Sequence, residues 1–277
     1  MKKITRSAIS IAIAALAAAS CLPKVNLETG FARLFEFCRS DIQMKDDYIR
    51  IEEEWPDRTE GSEDCATTLE YLTLLAMREV GEKNVETIET PSGEMIIARL
   101  KGAKPKWSAL VCSHVSQQRD SLGQMAGDPL AASLSAIEVL RSFKKTRLRP
   151  SPTVYVLISD FDSSTEMMEA YKRYITARDK DKKASKKEKC LLQIHLDSIG
   201  QDGDGARTFT VGEPREIFLS IHEVMKQYLQ PYGEYTLVNG PIHDPSYPFP
   251  SPLYRYSVDR ATMEDDAAAV ASLILLN

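Results

Sequence analysis

An α/β fold with one mixed, largely parallel sheet and helices on both faces is what the sequence predicts, and three observations predict it. Two runs, Ala109–Cys112 and Thr153–Ser159, are continuously apolar or β-branched, the mark of strands covered on both faces. Runs of that kind alternate with stretches of helical periodicity, the pattern that builds parallel strands through helical crossovers. Three strand ends stop at polar residues, namely at His114, at Asp160–Ser164 and at Asp197, and open α/β sheets place their ligands at such ends. At 277 residues with 43% hydrophobic content the chain can bury one large core, and no internal repeat divides it.

Residues 1–20 stand apart from that fold. Lys2, Lys3 and Arg6 precede an apolar stretch, Ser7–Ala19, that is too short to span a bilayer, and small residues lead into Cys21. This is the pattern of an export signal. Its Ala-Ala-Ser-Cys ending resembles the bacterial lipoprotein signal, which implies lipidation of Cys21 and attachment to a membrane of the cell envelope. Ordinary signal cleavage, giving a periplasmic or secreted protein, is the alternative. Loss of the three basic residues takes the formal charge from -5 to -8. A net negative chain argues against nucleic acid as a partner.

Residues 21–54 read as a tether followed by a short helix, because Phe31, Leu34, Phe35 and Cys38 recur at helical spacing. The α/β domain takes residues 55–277. Ser62 is placed to cap a helix with Glu63 and Asp64 in its first turn, Leu69, Leu72, Leu75 and Ala76 form its stripe, and Gly81 ends it. Asn84–Thr90 and Glu94–Leu100 are two strands joined by a turn at Pro91–Gly93. The strand at Ala109–Cys112 leads through a polar loop to a helix that starts near Asp128. A helix from about Ser164 to Ala177 follows the strand Thr153–Ser159.

The stretch Arg178–Lys189 is dense in charge of both signs and reads as a solvated loop, since alternating charges weaken any net field. Cys190–Leu196 is a strand ending at Asp197. A turn at Gln201–Gly205, a helix at Glu213–Leu229, strands at Tyr235–Val238 and Leu253–Val258, and a helix at Met263–Leu276 complete the chain. The cysteines after Cys21 are scattered at Cys38, Cys65, Cys112 and Cys190 without C-x-x-C spacing, which excludes a zinc finger.

One histidine and two groups of carboxylates at neighbouring strand ends could meet at one edge and hold a metal such as zinc. Several short motifs in order add to this: Arg58-Thr-Glu-Gly-Ser62, Ser113-His114, Ala126–Glu138 and His195-Leu-Asp197-Ser-Ile-Gly200. Together they resemble the co-catalytic zinc aminopeptidase family, whose fold is shared with glutaminyl cyclases, over roughly residues 55–277. The resemblance implies that fold, with His114 and Asp197 as ligands of one metal and Asp128 as a third ligand after a one-residue shift.

The same resemblance implies losses. The Asp expected two residues after the histidine, to orient its ring, is Ser116, and the bridging Asp falls on Gly127 without that shift. The family's Gly-Glu-Glu, which supplies the general base and a second-metal ligand, aligns with Asp162-Ser163-Ser164, so Ser163 stands at the base position. A terminal ligand histidine aligns with Ser246, with His243 nearby. Asp160 and Asp162 are candidate substitute carboxylates, and the alternative for this segment is a helix N-terminus capped by Asp or Ser.

The expectation is therefore a degenerate relative: a non-catalytic protein that binds a peptide or partner and has no firm cofactor, zinc remaining possible. A divergent single-metal peptidase, amidohydrolase or cyclase using His114, Asp128 and Asp197 is the rival.

Overall fold

The computed structural model describes residues 27–117, 129–180, 187–199, 207–211, 235–239, 253–258 and 263–276. Cys21, Gly127, Asp128, Glu213–Leu229, His243 and Ser246 lie outside these described residues. Two helices come first, α1 (Leu27–Ser40) and α2 (Gln43–Glu54), then α3 (Glu63–Val80) and a 3-10 turn at Glu82–Asn84. Strands β1 (Val85–Thr90), β2 (Gly93–Leu100) and β3 (Trp107–His114) lead to α4 (Pro129–Thr146), β4 (Thr153–Ser159) and α5 (Ser164–Arg178). After these come β5 (Lys189–Ile199), β6 (Arg207–Val211), β7 (Tyr235–Asn239), β8 (Leu253–Val258) and α6 (Met263–Leu276).

The strands form one sheet in the order β1-β2-β4-β3-β5-β8-β6-β7. Its centre, β4-β3-β5-β8, is parallel, while β2 pairs antiparallel with both β1 and β4, and β6 is antiparallel to β8. The fold is thus the mixed, largely parallel α/β sheet that the sequence predicts.

The strands' alternation sorts their side chains into two cores. Ile96 and Ala98 of β2, Ala109 and Val111 of β3, and Val154, Val156 and Ile158 of β4 pack with α1, α2, α3, α4 and α6 on one face. Met95 and Ile97, Leu110 and Cys112, and Tyr155 and Leu157 face the other way, onto Met167, Met168, Ala170 and Tyr171 of α5. All seven residues of β4 are buried, which is why its sequence is a continuous apolar run with no polar alternation.

Caps fix the helix ends where the sequence places them. Ser62 accepts a hydrogen bond from the Cys65 backbone N–H, and Gly81, at φ 85°, lets the chain leave α3. Where the sequence suggests one short helix before residue 55, there are two. Met44, Tyr48 and Ile51 of α2 enter the same core as α1. Strand β6 is a further element without a counterpart in the sequence reading. Among the described residues, no helix is long and apolar enough to cross a membrane.

Candidate functional site

Strands β3 and β4 run parallel and end together, with His114 paired against Ser159. The Val115 backbone N–H donates to the Ser159 carbonyl at 2.8 Å, so both chains turn out of the sheet at one edge. The loop behind His114 is held from two sides. The Gln117 N–H donates to the Arg58 carbonyl at 2.7 Å, and Thr59 bridges Gln117 in parallel. Arg58 itself is fully buried, where it donates to the Trp55 carbonyl at 2.8 Å and to the Glu52 carboxylate. Segments that are far apart in sequence, 58–62 and 113–117, thereby become one rim. On the helix side, the Ser133 hydroxyl at the start of α4 donates to the His114 carbonyl at 2.9 Å.

The imidazole of His114 is fixed through Nδ1, which lies 3.0 Å from the Ser116 carbonyl oxygen and 3.1 Å from the Ser116 hydroxyl. A carbonyl oxygen can only accept, so this contact assigns the proton to Nδ1. Nε2 is left with its lone pair, and Asp162 Oδ1 stands 3.6 Å from it. Ser116 thus takes over, with its backbone, the ring-orienting work that the resemblance assigns to a carboxylate. Two acceptors facing each other at this distance suit a cation between them, either a proton or a metal ion.

The neighbouring polar residues have other work. Asp160 turns back to the sheet, where Oδ1 accepts the Glu94 N–H at 2.8 Å, and burial raises its carboxyl pKa. Ser163 is the N-cap of α5, its hydroxyl accepting from the Glu166 backbone N–H. Glu166 holds the β1–β2 turn, its two carboxylate oxygens accepting from the Ser92 N–H at 3.0 Å and the Ser92 hydroxyl at 2.5 Å. Those hydrogen bonds lower its carboxyl pKa. Cys65, whose thiol reaches the Asp160 carbonyl at 3.4 Å, has its pKa pushed up to about 12 by burial and is no nucleophile.

Of the sequence candidates, His114 therefore sits at the predicted sheet edge, and Asp197 lies on β5 two residues beyond His195, which pairs with Cys112 of β3. The residue whose weight changes is Asp162: it faces His114, whereas Asp160 does not. Zinc sites need three or four donors with bonds near 2.0–2.2 Å. His114 and Asp162 are spaced to share one ion, but among the described residues no group of three or more His, Cys, Asp or Glu could hold a metal. The described donors fit half a zinc site.

No family model matches the chain, and no curated protein matches it in sequence. Solved structures do match in shape. LapB from Legionella pneumophila superposes with a TM-score of 0.62 at 12% identity, over 91% of this chain and 74% of LapB. A Zn-dependent exopeptidase from Parabacteroides distasonis gives 0.55 at 13% identity, over 85% of this chain and 98% of the exopeptidase. Glutaminyl cyclase from Macrostomum lignano gives 0.55 at 12% identity, over 91% and 92%. In fold, this chain stands with the zinc-dependent exopeptidases and glutaminyl cyclases, and its chemistry has to be read from its own side chains.

Proposed function

We propose that the chain is an exported envelope protein, anchored through lipid on Cys21, that binds a peptide or protein partner at the His114 edge of its sheet without hydrolysing it. The observation that carries this reading is the first turn of α5. Ser163, at the position where the resemblance expects a general base, spends its hydroxyl on capping the helix. A serine hydroxyl at its ordinary pKa does not take a proton from water as a carboxylate does, and loss of a general base alone lowers a rate by roughly 10²- to 10⁴-fold.

A second reading is favoured by one distance, the 3.6 Å between His114 Nε2 and Asp162 Oδ1. It is a divergent single-metal peptidase, amidohydrolase or cyclase in which His114, Asp128 and Asp197 are joined by Asp162. A bound zinc would supply Lewis acidity and a water ionising near pH 7. In that reading Ser116 holds the imidazole ring with Nε2 toward the ion.

Metal analysis of the purified full-length protein, with a panel of aminoacyl and N-terminal glutaminyl peptides, separates the two. The expected result is substoichiometric zinc and neither cleavage nor cyclisation. Stoichiometric zinc together with turnover that disappears in His114→Ala would overturn the non-catalytic reading. Mass spectrometry of the mature N-terminus tests the lipid on Cys21.

A further inference from the structure

The edge of the sheet opposite His114 is basic. Strands β3, β4 and β5 are parallel and begin there together, with Trp107 paired to Lys189 and Ser108 to Thr153. β2, antiparallel to β4, ends at the same edge. Three short segments converge as a result, and backbone hydrogen bonds join them. The Ala103 N–H donates to the Pro150 carbonyl at 2.9 Å, the Lys104 N–H to the Ser151 carbonyl at 2.7 Å, and the Lys189 N–H to the Lys106 carbonyl at 2.9 Å.

Exposed on this frame are Lys101 and Lys106 before β3, Arg147 and Arg149 before β4, and Lys187 and Lys189 at the start of β5. None of the six is in an ion pair among the described residues; their paired neighbours are Lys144 and Arg178. The described acids beside these cations, Asp179 and Glu188, are turned inward: Asp179 is buried and accepts the Glu188 N–H at 2.9 Å, and Glu188 accepts from the Tyr155 hydroxyl at 3.0 Å. Among these cations stands Trp107, 40% exposed.

Six cations with no ion pair among the described residues, on one edge of a chain whose formal charge is -5, make a local field of the opposite sign. An indole set among them matches the aromatic residues that sit at bilayer head-group level. We propose that this edge docks the protein on an anionic lipid bilayer, with the Lys and Arg side chains against the head groups and Trp107 in the interface. The docking extends the envelope reading above by giving the anchored protein an orientation, with the His114 edge facing away from the bilayer. A lipid surface fits better than nucleic acid, because among the described residues this edge is built of short, laced segments with neither a helix nor a ribbon projecting to enter a groove.

The test uses the mature chain, residues 21–277, carrying Cys21→Ser, so that neither the apolar signal nor a lipid is present and the anchor reading is left to its own measurement. Sedimentation with phosphatidylcholine vesicles, with and without phosphatidylglycerol, is compared with the same chain further carrying Lys101→Glu, Lys106→Glu and Lys189→Glu. The expected result is binding that requires phosphatidylglycerol, weakens with salt, and falls about fivefold for each cation removed. Vesicle binding should also shift tryptophan emission to the blue, and Trp107→Phe should abolish that shift. Equal binding to both vesicle types, unchanged binding by a triply reversed variant with an unaltered melting temperature, or tighter binding to duplex DNA than to anionic vesicles would each overturn the inference.

Discussion

Glu138 and Arg141 lie one turn apart on α4, both almost wholly buried, with Arg141 Nη1 donating to Glu138 Oε2 at 2.9 Å. Around this pair the N-terminal helices are fastened to the domain. Arg141 also reaches Asp41 at 3.3 Å, Asp47 at 3.4 Å and Glu79 at 3.3 Å. Arg78 and Lys144 each contact Glu79 as well, at 3.2 and 3.4 Å. The Tyr71 hydroxyl donates to Asp47 at 2.7 Å. With Glu138 protonated, three carboxylates face three cations, and burial does push its pKa up to about 8.

Removing the guanidinium should be severe. Arg141→Leu leaves buried carboxylates without their cation, and loss of one partner from a buried ion pair destabilises by about 3–5 kcal/mol. Urea denaturation at neutral pH should show a loss of this size, whereas Glu138→Gln, which keeps the balanced charge count, should stay within about 1 kcal/mol of the wild type.

The pH dependence has a definite sign. Glu138 holds its proton more tightly folded than unfolded, so its contribution is complete below its ordinary value of 4.5 and is lost as pH rises to about 8. Melting temperatures measured across that range should decline in the wild type more steeply than in Glu138→Gln. Parallel profiles for the two proteins would contradict this assignment.

Gly93 has φ 153°, and a Cβ added there would run into the Asp160 carboxylate. Gly93→Ala should destabilise by about 1–3 kcal/mol, read from thermal or urea unfolding. Asp160→Ala combined with it should recover part of that loss, since the clash is with one side chain; no recovery would place the strain in the backbone alone.

The α5 cap predicts a smaller effect. Ser163→Ala should destabilise by about 1 kcal/mol, while Ser163→Asp, which also caps helices, should hold wild-type stability. If both variants bind peptide like the wild type, the serine serves the helix and not a ligand.

Thiol chemistry tests the burial. Cys38, Cys65 and Cys112 are buried and Cys190 is only partly so. In the native protein an aromatic disulfide reagent should modify Cys190 first, with Cys65 slowest because its thiol resists ionisation. Rapid labelling of Cys65 would mean that the Asp160 rim opens in solution.

Much of the fold was legible because its signals are local. The run of β4 and the caps at Ser62 and Gly81 each need only a few adjacent residues. Helix α2 was hidden because Met44, Tyr48 and Ile51 are diluted by charged neighbours, one of which, Asp47, is buried only because Arg141 and Tyr71 wait for it. Strand β6, held between β8 and β7, is made of strand formers, Thr208, Phe209, Thr210 and Val211, but at five residues it is too short to stand out beside the Gly-rich stretch before it. At the site, His114 could be picked out from the strand before it. Its facing of Asp162 could not, since that depends on how β4 leaves the sheet and on Ser163, not Asp162, becoming the cap. The basic edge was missed for a related reason: charge read along Arg178–Lys189 alternates in sign, whereas the fold turns Glu188 inward and adds cations from two other loops.

The lacing of residues 101–106, 147–152 and 189 is made by main-chain groups, between Ala103 and Pro150, Lys104 and Ser151, and Lys189 and Lys106, with one side chain added, Arg149, which donates to the Gly102 carbonyl at 3.2 Å. Scaffold and lysine charge are therefore separable at this edge. Its lysines can be exchanged by mutation, singly or together, with little penalty in folding, so selection can retune the attraction of this surface while the sheet and the distant His114 rim stay as they are.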